Sequence, residues 1–141
     1  MKKCSDVMTK DPVCVLPDQL VKEVAQLMQD EDIGSVPVIE DEKSKKLIGI
    51  VTDRDLALKV VAEGHDPKST RVADVMTRQV VTCYEDDSVQ KALDAMSEHQ
   101  LRRIPVVDKH EHIVGIIAQA DVATRVDEPK KTAEVVKEIS Q

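Results

Sequence analysis

The chain has 141 residues, 41% of them apolar, with one tyrosine and no tryptophan or phenylalanine, and its 20 basic and 27 acidic residues leave a formal charge of −7. Its core must be aliphatic, and it has neither the aromatic platforms of single-strand nucleic-acid binding nor a net charge that attracts a phosphate backbone. No apolar run approaches the ~20 residues of a bilayer span, and Met1-Lys2-Lys3-Cys4-Ser5-Asp6 leads into no secretory apolar segment, so the expected location is the cytoplasm, with neither membrane nor nucleic acid as partner.

In chain order, a short strand is expected from Val13 to Leu16. A helix follows, with Leu20, Val24, Leu27 and Met28 on one face. Two β-rich runs come next, Val36 to Ile39 and Lys46 to Thr52, and then a second helix from Asp53 to about Glu63. Glu63 to Ser69 contains Gly64 and Pro67 and reads as a linker. The same order then starts again. Val81 to Tyr84 is a strand, and Ser88 caps a helix whose Val89, Ala92, Leu93 and Met96 share a face. Ile104 to Asp108 and His112 to Ala118 are strands, and a helix runs from about Gln119 to Val126. Beyond Asp127, Pro129 precedes a weak helical pattern of Val135, Val136 and Ile139.

The recurrence is partly literal. Val7-Met8-Thr9 returns 68 positions later as Val75-Met76-Thr77, and Pro37-Val38-Ile39 as Pro105-Val106-Val107. Leu47-Ile48-Gly49-Ile50-Val51 returns 66 positions later as Ile113-Val114-Gly115-Ile116-Ile117. The two-residue difference falls in the polar stretch Glu40 to Lys46, where a surface turn absorbs it. The pattern is β-α-β-β-α twice, an α+β (α/β-like) fold. A copy of roughly 55–60 residues buries little surface alone, so the two are expected to pack sheet to sheet. The expected boundaries are a first repeat with its linker over 1–69, a second over 70–127, and a tail with helical pattern over 128–141.

Three features carry a family resemblance. Gly49-Ile50-Val51-Thr52-Asp53-Arg54-Asp55 takes a buried strand into a helix, as does Gly115-Ile116-Ile117-Ala118-Gln119-Ala120-Asp121. Val36-Pro37-Val38 and Ile104-Pro105-Val106 mark the middle strands, and Asp-Val-Met-Thr precedes each copy at Asp6 to Thr9 and Asp74 to Thr77. Together these resemble a pair of CBS domains, a Bateman module, over nearly the whole chain outside the tail, and most closely the stand-alone bacterial and archaeal type. The resemblance implies pseudo-twofold symmetry between the copies and a regulatory role without catalysis or an obligatory cofactor. It also implies up to two inter-copy clefts for AMP, ADP, ATP or another adenosyl compound, a homodimer, and a separate downstream protein that reads the ligand state.

The resemblance also assigns roles. Asp55 matches the aspartate that accepts from the two ribose hydroxyls, and Asp121 is its counterpart; an Asp at a helix start also complements the helix dipole without any ligand. Thr52 is placed to donate to a phosphate or to cap its helix, and Ala118 has no hydroxyl for either task. Where copy one has Gly34-Ser35, copy two has Arg102-Arg103. Leu101-Arg102-Arg103-Ile104-Pro105-Val106 resembles a stretch in the gamma subunit of AMP-activated protein kinase in which basic residues contact phosphates. The guanidinium fork suits an oxyanion, though two arginines on a strand edge can be merely solvated. Aliphatic walls at Val13, Ile33, Val36 and Pro37, with Asp11 and Pro12, would hold adenine, unless these residues are ordinary core. The expected result is one composite site of Thr52, Asp55, Arg102 and Arg103, and a weaker one around Asp121, Ala118 and Ser35.

Other readings stay open. Cys4, Cys14, Cys83, His65, His99, His110 and His112 could serve a metal or redox function, but no CxxC or HExxH spacing is present and no metal site is expected. Cys14 and Cys83 lie in equivalent first strands and could form a reversible disulfide or remain buried thiols. An enzyme is not expected: there is no nucleophile–base pair and, with four glycines, no Gly-rich phosphate loop. Asp53, Arg54 and Asp55 are consecutive at a helix start and do not converge. A module that binds proteins and no ligand is the remaining alternative.

Overall fold

The structure is a computed structural model that describes residues 2–125, with side chains described to residue 122. The tail over 128–141 and the last expected residue of the second-copy helix, Val126, lie outside the described residues. In chain order the elements are α1 (Cys4–Val7), β1 (Thr9–Lys10), α2 (Val21–Glu31), β2 (Ser35–Ile39), β3 (Leu47–Thr52) and α3 (Asp53–Leu56), which runs on as a π-helical turn over Ala57–Val61. Then come α4 (Val72–Val75), β4 (Cys83–Tyr84), α5 (Val89–Glu98), β5 (Arg103–Val107), β6 (Ile113–Ala118) and α6 (Gln119–Arg125). Each unit combines helices with mostly antiparallel strand pairs, as in an α+β fold. The described residues divide into two compact units: Val13–Val80, and residues 2–12 together with 81–125.

In the unit Val13–Val80, β2 and β3 form an antiparallel hairpin in which Ser35 faces Thr52, Val36 faces Val51 and Pro37 faces Ile50. Val15 bridges to Val38 in parallel on one side, and Thr77 bridges to Ile50 antiparallel on the other. The expected strand from Val13 to Leu16 therefore shrinks to one bridging residue, held by Val15 N–H to Pro37 O and Ile39 N–H to Val15 O, both 3.0 Å. Pro12 and Pro17 flank it and offer no N–H, which prevents the ladder from extending. Helix α2 buries Val21, Val24 and Met28, while Leu20 stands at its N-cap instead of on the buried face. The core is Val15, Val24, Met28, Val36, Val38, Val51, Val72 and Met76.

The other unit repeats this plan with a longer ladder. Its four-stranded sheet runs β1-β6-β5-β4, antiparallel except for the parallel pair β4 and β5. Helix α5 buries Val89, Ala92, Leu93 and Met96, the full expected face, and the Ser88 hydroxyl accepts from Lys91 N–H.

The compact units cut across the repeat boundaries at 69 and 70. Thr9 and Lys10, which precede copy one in sequence, pair with β6 of copy two. Thr77, which precedes copy two, pairs with β3 of copy one. Each docked segment brings a methionine against a glycine of its partner strand: Met8 against Gly115, and Met76 against Gly49. A Cβ at either glycine would meet the sulfur, so the backbone approach that seats the Met-Thr strand requires a residue without a side chain.

Candidate functional site

The candidate site in the unit Val13–Val80 starts where β3 ends. Thr52 has extended backbone angles and is the N-cap of α3. Its hydroxyl accepts from Asp55 N–H at 3.1 Å, and Asp55 Oδ2 accepts from Thr52 N–H at 3.0 Å. This reciprocal pair is a capping box with Asp in the usual Glu place, and it satisfies two N–H groups that the first helical turn leaves open. The same carboxylate accepts from the Thr77 hydroxyl at 3.2 Å and meets Lys59 Nζ, one helical turn on, at 3.0 Å. Lys59 Nζ also donates to Val75 O at 2.9 Å. Asp55 is thus 7% exposed and, among the described residues, the one buried charged side chain; three sets of donors offset its desolvation. Ser35, across the hairpin from Thr52, adds a second hydroxyl at this end of the sheet.

The equivalent end of the other unit has different chemistry. Arg103 faces Ala118 across β5 and β6, where the first unit has Ser35 and Thr52. The Arg102 carbonyl accepts from Gln119 N–H at 3.0 Å, just as the Gly34 carbonyl accepts from Asp53 N–H at 2.9 Å. Arg102 is exposed and Arg103 half-buried. Asp121 Oδ2 accepts from the Thr9 hydroxyl at 3.1 Å, the counterpart of the Thr77 contact to Asp55. Ala118 can supply no side-chain cap.

The expected site residues fall as follows. Thr52, Asp55 and Ser35 come together within the unit Val13–Val80, while Arg102, Arg103, Asp121, Asp11 and Pro12 belong to the other unit. Of the aliphatic walls, Val13 is 43% exposed and Ile33 half-buried, but Val36 is 0% exposed and sits in the core. Pro37 is buried as well. Asp11 is exposed and holds a left-handed backbone angle, φ 51°. Neither Thr77 nor Lys59 is among the site residues expected from the sequence. The i,i+4 spacing of Asp55 and Lys59 was a usable signal for the ion pair; the recurrence of Thr9 at Thr77 marked the threonine without revealing its partner.

His110, Glu111 and His112 form the turn between β5 and β6. Asp108 organises it, accepting from the His110 and His112 N–H groups at 2.9 and 3.0 Å. Burial alone would raise the Asp108 carboxyl, but these two N–H groups together with the positive charge of His112 and His110 hold it below the usual range. Among the described residues, no three His, Cys, Asp or Glu side chains converge as metal ligands. No helix among them is long and apolar enough to cross a membrane.

The CBS-domain family model matches residues 4–62 and 72–128. The chain belongs to the CBS-domain family. Its two family matches follow the two sequence copies. CBS domain-containing protein YhcV of Bacillus subtilis is 38% identical over 123 residues, which cover 87% of this chain and 84% of the relative. The crystal structure of Hypoxic Response Protein I, with two coordinated zinc ions, is similar at a TM-score of 0.79 and 33% identity, covering 89% of this chain and 99% of that one. The CBS domain pair of protein MJ0100, in complex with 5'-methylthioadenosine and S-adenosyl-L-methionine, is similar at a TM-score of 0.73 and 29% identity, covering 88% of this chain and 94% of that one.

Proposed function

We propose that this CBS pair is a cytoplasmic regulatory module that binds an adenine nucleotide and signals its presence to a separate protein through a change of shape or of homodimer state. The observation that carries the reading is the adenosyl-bound CBS pair of MJ0100, which is similar over most of both chains. The motif Gly49 to Asp55 at a strand-to-helix junction supports it.

In this reading Asp55 accepts from the ribose diol. Its carboxylate already holds the Thr77 hydroxyl and Lys59, so a diol takes the place of donors that are present without ligand. Thr52 Oγ1 accepts from Asp55 N–H and keeps its own proton to give a phosphate oxygen. Within the unit Val13–Val80, Val13 and Ile33 offer accessible aliphatic edges for the adenine, backed by Pro37 and Val36. The family resemblance assigns phosphate to Arg102 and Arg103 of the other unit, adenine to Asp11 and Pro12, and a second, weaker ribose acceptor to Asp121, which has Ala118 where Asp55 has Thr52. Because Lys59 links Asp55 to the Val75 carbonyl of α4, a ligand that takes over Asp55 loosens the hold on α4 and Thr77. That differential contact is what a ligand needs in order to shift a conformational equilibrium.

Calorimetry with AMP, ATP and S-adenosylmethionine on the wild type, Asp55→Asn and Asp121→Asn tests the reading. The expected result is saturable binding that Asp55→Asn weakens more than Asp121→Asn. Equal losses would overturn the asymmetry. No heat and no thermal shift with any of the three compounds would overturn ligand binding and favour a module that contacts proteins alone.

A further inference from the structure

Gln119 opens α6 directly after β6, and its amide nitrogen is buried with no hydrogen-bond partner among the described residues. Folded chains rarely leave such a donor unpaired, because its desolvation is then uncompensated. Gln119 N–H donates to Arg102 O at 3.0 Å, and Arg103 faces Ala118 across the ladder. Arg103 is half-buried and Arg102 exposed, and neither guanidinium makes an ion pair or hydrogen bond among the described residues. Three side-chain donor groups without partners thus stand on neighbouring positions at one end of one sheet.

The repeat supplies an internal control. By the 66-residue shift the counterpart of Gln119 is Asp53, and by the 68-residue shift those of Arg102 and Arg103 are Gly34 and Ser35. The backbone register is the same, with Asp53 N–H donating to Gly34 O at 2.9 Å. Asp53 is exposed and satisfied: its Oδ1 accepts from Arg54 N–H at 2.8 Å. Its Oδ2 lies 3.0 Å from where a Cβ on Gly34 would stand, a place that the Cβ of Arg102 crowds in the other unit. The fold at this junction is therefore met by an exposed carboxylate, and it does not require an unpaired amide. The exchange of Asp for Gln removes a negative charge beside the place where the arginines add positive ones. It also restores, next to Ala118, a side-chain donor of the kind Thr52 gives the other unit.

We propose that Gln119 is a specificity-determining residue for phosphate: its amide donates to a phosphoryl oxygen of the bound nucleotide, at the same end of the sheet as Arg102 and Arg103. The inference rests on the nucleotide reading above and adds to it the residue that tells a phosphorylated ligand from an unphosphorylated one. A terminal phosphate presents three acceptor oxygens. Two guanidinium forks and one amide match them with donors alone, and the amide brings no negative charge to repel them. Gln119 as a whole is half-buried, and the torsion that turns its amide is soft. The nitrogen can therefore turn to the surface without breaking a hydrogen bond, since it has none to break. The nearby carboxylate, Asp121, already accepts from the Thr9 hydroxyl at 3.1 Å.

Calorimetry with AMP and with adenosine, and urea denaturation without ligand, test this on the full chain. Wild type is expected to bind AMP more tightly than adenosine. Gln119→Met, similar in shape and without a donor, weakens AMP binding by about tenfold and leaves adenosine binding within about twofold. It does not lower the urea midpoint, because no hydrogen bond is lost. Gln119→Asp, which installs the residue of the other unit, weakens AMP binding further and again spares adenosine. AMP binding unchanged in Gln119→Met, or adenosine weakened as much as AMP, overturns the proposal and leaves the nucleotide reading standing. A lower urea midpoint for Gln119→Met means that a trapped water or another partner holds the amide in the free chain, and it overturns the proposal too. A wild type that binds neither compound overturns the nucleotide reading, and this inference with it.

Discussion

Met76 Sδ lies 2.8 Å from where a Cβ on Gly49 would stand, and Thr77 O lies 3.0 Å from the same point. In the other unit Met8 and Thr9 O crowd Gly115 still more closely. A methyl group at either glycine must move the methionine side chain and press on the threonine carbonyl of the paired segment. Gly49→Ala and Gly115→Ala should each destabilise the chain by about 1–3 kcal/mol, as overpacked sites do, with Gly115→Ala the worse. Urea denaturation measures this, and an unchanged midpoint for both would refute the packing account.

Asp55 holds its helix and its sheet together whatever it binds. Asp55→Ala removes the acceptor for Thr52 N–H, the Thr77 hydroxyl and Lys59. The Lys59 side chain is 42% exposed, so its share is small. The capping box and the threonine bond set the cost at about 1–3 kcal/mol. Asp55→Asn keeps an acceptor oxygen and should recover part of it. Any ligand-binding loss in Asp55→Ala must therefore be read beside its denaturation curve.

Thr77→Val isolates the hydroxyl without touching the cap. It removes a donor that a ribose diol must otherwise displace. We expect a small stability loss, about 1 kcal/mol, together with unchanged or tighter AMP binding. Binding that weakened tenfold would place Thr77 among the residues that hold the ligand. Thermal shift and calorimetry on the same sample separate the two effects.

Cys14 predicts an alkaline weakness. Burial raises its thiol from 9.0 to about 11 in the folded chain. A group whose folded value is raised contributes stability that is fully present below the unfolded value and is lost as pH rises through the folded one. Tm should fall between about pH 9 and pH 11, and Cys14→Val should flatten that part of the fall. A Tm profile with the same slope in both proteins would show that Cys14 does not govern it.

Arg102→Ala should weaken AMP binding by about tenfold, the worth of a charge-assisted hydrogen bond, and leave adenosine binding nearly unchanged. Calorimetry with the two ligands checks this. Equal weakening would mean that Arg102 acts on something other than phosphate.

The parts that were legible in the sequence were those fixed by local spacing. Val89, Ala92, Leu93 and Met96 recur at helical intervals, and all four are buried. Thr52 and Asp55 stand three apart, the spacing of a reciprocal cap. Long-range choices left weaker marks. Val-Met-Thr reads the same at residues 7–9 and 75–77, so nothing local says which sheet each segment joins. Loop-closure entropy changes slowly with length and does not discriminate either; the fit of methionine against glycine is visible only in three dimensions. Thr77 reaches Asp55 across 22 positions, with no pattern between them to announce it.

The strand β1 meets its partners at Ile116 and Gly115. At the ~5–20 residues per second of protein synthesis, it emerges several seconds before β6 exists. The unit Val13–Val80 is contiguous and can close during that wait. Val7 and Met8, both buried in the finished fold, meanwhile have no sheet to cover them. A nascent chain stalled before Ile113 would therefore leave them uncovered while the unit Val13–Val80 is already complete.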